Sequence, residues 1–421
     1  LPGFYFDPER NRYFPISSRA AESRPPPPAP TPQLPPPSNN SDRPTRATRS
    51  KRILWTTGPS FAARTRVFNS LLHARLEATS QSQNATWPVP LGTTVSAFAT
   101  TPWPSDSAVR QFIGDNNGCL YDRRYHSEWD EWGDWTLDLC LARGSYVSAI
   151  LATPDHVVSV CFGSSTKLAI QRSGVPDRTT LLNFPAISDV RAASIQRGAL
   201  ALGSGSRGFL VPDLDVHHSV RVIATGSDVF SIAQHESLIY TGVRSGTVLR
   251  FDSRTKTDRT AHAQVICDSV LGWGSDPQAH APLSSASFVR PLSDGASIVV
   301  GFMDGRLASY DLRFLRRSAP PTVVYASLPP GPSTSPPPLP LGVSLDPAER
   351  FVFSARRDGF LRGWALHNGR PLEPPDTNTG DGLFTTCFAS PPTALCVIEE
   401  GGSVALWAAG DDQVSRWTLC V

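Results

Sequence analysis

The stretch that decides the fold is Gly301-Phe302-Met303-Asp304-Gly305-Arg306-Leu307-Ala308-Ser309-Tyr310-Asp311-Leu312-Arg313. It reads as strand, tight turn, strand. Asp304 folds back on its own backbone and Gly305 accepts positive φ, so the pair supplies the turn. Leu307 and Ser309 then alternate with Ala308 and Tyr310 at the period of a strand. Asp311 closes that strand, and Arg313 stands two residues beyond it. Related stretches flank it: Ser245-Gly246-Thr247-Val248-Leu249-Arg250-Phe251-Asp252-Ser253-Arg254 upstream and Asp358-Gly359-Phe360-Leu361-Arg362-Gly363-Trp364 downstream.

Aligning on the turn extends the repeat to Gly118, Thr166, Ser206, Gly246, Gly305, Gly359 and Asp412, with successive spacings of 48, 40, 40, 59, 54 and 53 residues. A floor of 40 residues with variable excess suits four short strands per unit, the excess being loop insertions. This is the period of a WD40-type propeller, and the seven positions predict an all-β, seven-bladed ring. A four-stranded blade cannot bury both faces alone. Stacked neighbours cover the faces, and closing the ring protects most strand edges. The pair Trp-Asp never ends a third strand here; Phe251-Asp252 and Tyr310-Asp311 stand in its place.

The 421 residues include 40 Pro, many in two runs at 25–37 and 329–340 that favour extended polyproline and pack no core. No apolar run reaches the roughly 18 residues of a membrane span. The seven Cys are scattered without a Cys-x-x-Cys, and buried free thiols are expected rather than disulfides or zinc. Reduced thiols point to nucleus or cytoplasm. Residues 1–80 hold 12 Lys and Arg against 5 Asp and Glu, a net of +7, and the remainder holds 27 against 32, a net of −5. The densest basic cluster, Arg43, Arg46, Arg49, Lys51 and Arg52, reads first as a solvated linker and second as a nuclear-localisation or nucleic-acid segment.

Residues 1–14, rich in Phe and Tyr around Asp7-Pro8-Glu9-Arg10-Asn11, predict an aromatic hairpin. A largely disordered, Pro-rich and basic linker follows over 15–59. An amphipathic helix is expected over 60–78, capped by Ser60 and carrying Phe61, Phe68, Leu72 and Leu76 at helical spacing. The propeller is placed at 93–421. Its last blade ends one strand short, so an N-terminal segment must supply the outer strand; Arg52–Thr57 is the candidate, with a truncated chain as the competing explanation.

Sequence matches to catalytic motifs fail on context. Gly203-Ser204-Gly205-Ser206-Arg207-Gly208 has the letters of a dinucleotide fingerprint but continues into Phe209-Leu210-Val211-Pro212, a strand rather than the helix N-terminus a pyrophosphate needs. Ser164 to Lys167 fits S-x-x-K without its partner motifs. No His pair has metal-ligand spacing. No enzyme activity, cofactor or metal is expected. Trp129, Trp132 and Trp135 sit among acids, where they suit a cationic partner; packing of the insertion on the propeller's own rim is the preferred reading.

Three repeats end aromatic-Asp-x-Arg, or nearly so: Tyr121-Asp122-Arg123-Arg124, Phe251-Asp252-Ser253-Arg254 and Tyr310-Asp311-Leu312-Arg313. Third strands end on one rim, so these arginines should project together, two of them from adjacent blades. The plainer reading pairs each Arg with its own turn Asp. The boxes look like the W-D-x-R box of cullin-4 substrate receptors. The opening Leu1-Pro2-Gly3-Phe4-Tyr5-Phe6-Asp7-Pro8-Glu9-Arg10-Asn11-Arg12-Tyr13-Phe14 resembles that of the DDB-and-cullin-4-associated factor family, member four type. The resemblance implies a substrate-recognition subunit of a cullin-4 RING ubiquitin ligase. Arg254 and Arg313 would contact the ligase's adaptor protein, Asp252 and Asp311 would hold the turns, and Arg124 is a weaker third contact. The helix bearing Phe68 and Leu72 would lie in the adaptor's groove. A generic WD40 scaffold and a nucleic-acid-associated factor are the alternatives.

Overall fold

The computed structural model describes residues 4–7, 12–15 and 84–88 as backbone, and 94–419 apart from 102–108, 127–130, 173–178, 217–218, 268–283, 314–319, 326–339, 373–382, 401–402 and 411–412. Residues 16–59 of the linker, with Arg52–Thr57 and the first proline run, the helix over 60–78, and residues 329–339 of the second proline run therefore lie outside the described residues. The chain divides into a unit of residues 1–60 and one of 61–421. In the first, Phe4–Asp7 pairs antiparallel with Arg12–Pro15, Phe6 opposite Tyr13.

The second unit is a seven-bladed WD40-type β-propeller. Blade 1 comprises Val95–Thr100, Arg110–Asp115 and Cys119–His126, with Glu131–Trp132 and Thr136–Cys140 both paired to its third strand. Blade 2 is Val147–Ala152, His156–Cys161, Thr166–Arg172 and Thr179–Phe184. Blade 3 is Ala192–Gln196, Ala199–Gly203, Gly208–Val211 and Arg221–Ile223. Blade 4 is Val229–His235, Leu238–Val243, Val248–Asp252 and Gln264–Cys267. Blade 5 is Ala286–Pro291, Ser297–Phe302, Leu307–Asp311 and Val323–Tyr325. Blade 6 has Val343–Leu345, Phe351–Ala355 and Leu361–Ala365, its outer edge met by single bridges from Pro371 and Cys387. Blade 7 is Ala394–Glu400, Ser403–Gly410 and Gln413–Leu419, completed by Asn84–Pro88.

That last pairing corrects the expected closing strand. An N-terminal segment does supply it, but the segment is Asn84–Pro88, with Asn84 opposite Trp417 and Pro88 opposite Gln413. It ends at Pro88, seven residues before blade 1 opens at Val95, so a short connection can close the ring.

The second-to-third strand turns match the repeat read from the sequence. Gly305 and Gly359 adopt φ of 89° and 80° there, a conformation that costs a side-chain-bearing residue most. Apolar clusters fill each interface between consecutive blades. The one joining blade 7 to blade 1, with Phe98, Ile113, Trp407 and Val414, seals the ring as the others do. Burial of such area, at about 25 cal/mol per Å², is what holds separate sheets in one ring. The innermost strands surround a channel of ≈ 760 Å³ lined by Phe98, Ile150, Ile232, Phe288 and Leu395 among others. In blades 1, 2, 4 and 5 the innermost strand carries a one-residue bulge beside its start, at Ser96, Ser148, Phe230 and Ser287.

The expectation that all thiols are free is corrected in blade 1. Cys119 and Cys140 face each other across the third and outer strands and are joined as a disulfide. Scattered positions hide this, because strand pairing brings residues 21 apart in sequence together. Cys161, Cys387 and Cys396 are free thiols.

Candidate functional site

Antiparallel blades put the second-to-third turns on one rim and the first-to-second turns, with the third-to-fourth connections, on the other. Arg254 and Arg313 belong to the second group. The Ser253 amide donates to Ser237 O in the first-to-second turn of blade 4 at 2.8 Å, and Leu312 to Ala296 O in that of blade 5 at 2.7 Å. The two boxes therefore stand at the same place in adjacent blades.

Their geometry is duplicated. Arg254 donates from Nε and Nη2 to the Asp252 carboxylate at 3.0 and 2.7 Å, and its amide donates to Oδ1 at 2.9 Å. Arg313 meets Asp311 at the same distances, 3.0, 2.7 and 2.9 Å. The side chain of Arg254 is 73% exposed and that of Arg313 68%. The arginine hydrogen bonds hold both carboxyls down to about 2. Aspartate sets each strand end by accepting the amide and fixes the guanidinium as a planar donor facing outward. The aromatic partners point the other way: Phe251 and Tyr310 are buried in the blade cores.

The first box is built differently, which removes Arg124 from this set. Its third strand does not stop at Asp122 but runs on to His126, because Tyr125 and His126 pair with Trp132 and Glu131. Asp122 is buried and accepts Arg110 Nε and Nη2 at 3.1 and 2.6 Å, not a following arginine. Arg124 is an exposed mid-strand residue opposite Arg110.

Arg123, which the aromatic-Asp-x-Arg pattern does not single out, is the buried member. It donates from Nε and Nη2 to Gln111 Oε1 at 2.8 and 2.6 Å and lies 4.9 Å from the Trp132 ring, 4.4 Å from Trp135 and 5.7 Å from Trp407. Burial pushes its pKa down to about 9, with Glu400 opposing the shift, so it stays charged at neutral pH. Trp407 in turn donates Nε1–H to Glu400 at 2.6 Å, and Arg416 holds the same carboxylate at 2.8 Å. Trp132 and Trp135 thus sit half-buried against the blade 7–blade 1 interface, with a cation of the chain itself on their rings. Trp129, Phe68 and Leu72 lie outside the described residues. A signal for this cluster does stand in the sequence: three Trp a few residues after consecutive arginines.

Gly203 and Gly208 end and begin strands, with residues 204–207 as the turn between them, so no helix N-terminus follows the glycine run. Among the described residues no three His, Cys, Asp or Glu gather where they could hold a metal ion.

No protein-family model matches the chain, and no curated protein matches it. Among solved structures it is similar to the WD40 β-propeller domain of Doa1, at 11% identity and a TM-score of 0.55, over 79% of this chain and 95% of that one. It is also similar to Raptor of Chaetomium thermophilum, at 13% identity and a TM-score of 0.53, over 79% of this chain but only 29% of Raptor. At these identities the likeness is one of fold.

Proposed function

We propose that this chain is a non-catalytic protein-interaction propeller, and that it serves as a substrate receptor of a cullin-4 RING ubiquitin ligase. The adaptor contact is the rim that carries Arg254 and Arg313. One observation carries the reading: two adjacent blades present an exposed arginine in the same aspartate bracket, at matching distances. A lone Arg clasping a turn Asp is ordinary surface chemistry. Two copies at one strand position make a matched pair of donors suited to carboxylates and carbonyls of a partner. The resemblance of residues 1–14 and of the boxes to the cullin-associated receptors names that partner. Such a receptor catalyses nothing; it raises the concentration of substrate near the ligase.

The test is co-purification of tagged wild type beside an Arg254→Ala/Arg313→Ala double variant. Adaptor and cullin-4 should accompany wild type in stoichiometric amounts and be lost from a variant that still melts cooperatively. If wild type brings down neither, the ligase reading fails and a scaffold of another assembly replaces it.

A further inference from the structure

The opposite rim carries a cluster of another kind. Tyr146 and Phe162, neighbours across blade 2, stack at 4.8 Å with 15° between their planes. Arg191, at the entrance to blade 3, lays its guanidinium 5.0 Å from the Phe162 ring and 5.0 Å from the ring of Phe230 in blade 4. The Arg191 amide donates to Gly203 O at 2.9 Å, at the end of the second strand, which fixes it on the rim of the second-to-third turns. One cation therefore touches aromatic rings of the blades on either side of its own.

Phe230 is the exception in its repeat. The bulge beside the start of the innermost strand holds Ser96, Ser148 and Ser287 in blades 1, 2 and 5. Ser96 and Ser148 donate to backbone carbonyls, Ser96 reaching Val147 O of the next blade at 2.8 Å and Ser148 reaching Val160 O at 3.2 Å. A phenyl ring cannot do this. The bulge instead re-aims Phe230 onto Arg191, a use bulges have beside binding sites. Cohesion does not require the contact, since separate apolar clusters already fill the blade 2–3 and blade 3–4 interfaces.

The flanking rings limit how far the guanidinium can turn. Its Nε is buried and meets no acceptor among the described residues, and the guanidinium interacts electrostatically with the Tyr146 hydroxyl. Arg191 and Phe230 stand at the starts of innermost strands, hence at a mouth of the channel, and all four side chains remain half-exposed. Arg207 and Arg244, in the turns of blades 3 and 4, are exposed on the same rim. Asp189 and Asp228 share it, Asp228 holding Arg244 at 2.9 Å.

We propose that this channel mouth binds an acidic peptide, a partner segment with separated Asp or Glu side chains, one of which pairs with Arg191. A clamped planar fork suits a carboxylate. Nucleic acid shares the anionic chemistry, but Asp189 and Asp228 repel a continuous phosphate backbone while leaving room for isolated carboxylates. The proposal does not depend on the adaptor rim, which faces the other way, so either can fail alone.

The experiment is selection of displayed random peptides of about 12 residues on the full chain, wild type and Arg191→Gln. Fluorescence anisotropy of the selected peptides and their Glu→Gln versions follows. Acidic residues should be enriched at a fixed spacing. Replacing the pairing Glu, or Arg191, should weaken binding about 10-fold or more, the size of one charge-assisted hydrogen bond. The peptide-side change needs no altered protein, so a misfolded variant does not decide the matter. Absence of acidic enrichment, Glu→Gln peptides that bind as well, or an oligothymidine that binds more tightly than the peptides would each overturn the proposal.

Discussion

Arg254 closes on the carboxylate of Asp252, two residues before it, with Nε at 3.0 Å and Nη2 at 2.7 Å. In water such a pair adds little to the stability of a fold. Its effect is on the surface: it turns a flexible side chain into a fixed donor, and the next blade repeats it with Arg313 and Asp311. Reuse of one arrangement at one strand position is what distinguishes this rim from the many other arginines of the chain.

The bracket has a titration signature. Asp252 and Asp311 should titrate at about 2, below the ordinary value of about 3.9. A lowered carboxyl pKa favours the ionised form in the folded chain. Its contribution is therefore complete above the unfolded value of about 3.9 and is lost as pH falls through about 2. Carboxyl carbon NMR should show Arg254→Ala moving Asp252 up toward about 3.9 and leaving Asp311 where it was. An unmoved Asp252 would contradict the bracket.

Much of the fold and part of the candidate site are legible in the sequence. Turn chemistry at Asp304-Gly305 and its spaced copies locates blades, because a φ above zero demands particular residues. The aromatic-Asp-x-Arg boxes locate Arg254 and Arg313, since an aspartate ends the strand in both. The same letters mislead at Tyr121–Arg124, where pairing across the sheet, with Trp132 opposite Tyr125, prolongs the strand. The closing strand is equally hidden: Asn84–Pro88 has no turn signal of its own and becomes a strand only by meeting Gln413–Leu419. Cys119 and Cys140 meet for the same reason. Local chemistry is written in sequence; partners across a sheet are not.

Ring closure depends on Asn84–Pro88, so an Ala85→Pro/Thr86→Pro variant should loosen blade 7. Proline removes a ladder donor and is poorly tolerated inside a paired strand. Hydrogen exchange should show faster exchange in Gln413–Leu419, while strands of blade 4 keep their protection. Unchanged protection in blade 7 would remove this strand from the closure.

Arg123 is a structural cation. Arg123→Ala strips Gln111 of its donors and opens space among Trp132, Trp135 and Trp407. Leaving the buried Gln111 oxygen without a donor should cost about 1–3 kcal/mol, read by denaturant unfolding, with a red shift in tryptophan fluorescence. A variant as stable as wild type would show that the cluster does not brace the interface of blades 7 and 1.

The described thiols should separate by reactivity. Burial pushes Cys161 and Cys396 up to about 12, so neither is a thiolate at neutral pH. Cys387 is exposed. Brief iodoacetamide treatment and peptide mass analysis should find Cys387 alkylated, Cys161 and Cys396 unmodified, and Cys119 and Cys140 modified only after reduction. Labelling of Cys119 or Cys140 without reductant would contradict their pairing.

The most direct measurement of the docking claim uses purified components. Affinity of the cullin-4 adaptor for this chain should be determined by interferometry for wild type, Arg254→Glu, Arg313→Glu and the double variant, with Arg191→Gln as a control on the opposite rim. Each single reversal should weaken binding about 10-fold or more. The double variant should lose binding almost completely, and the control should bind as wild type does. An adaptor that binds the double variant as tightly as wild type, or binds neither, would contradict it.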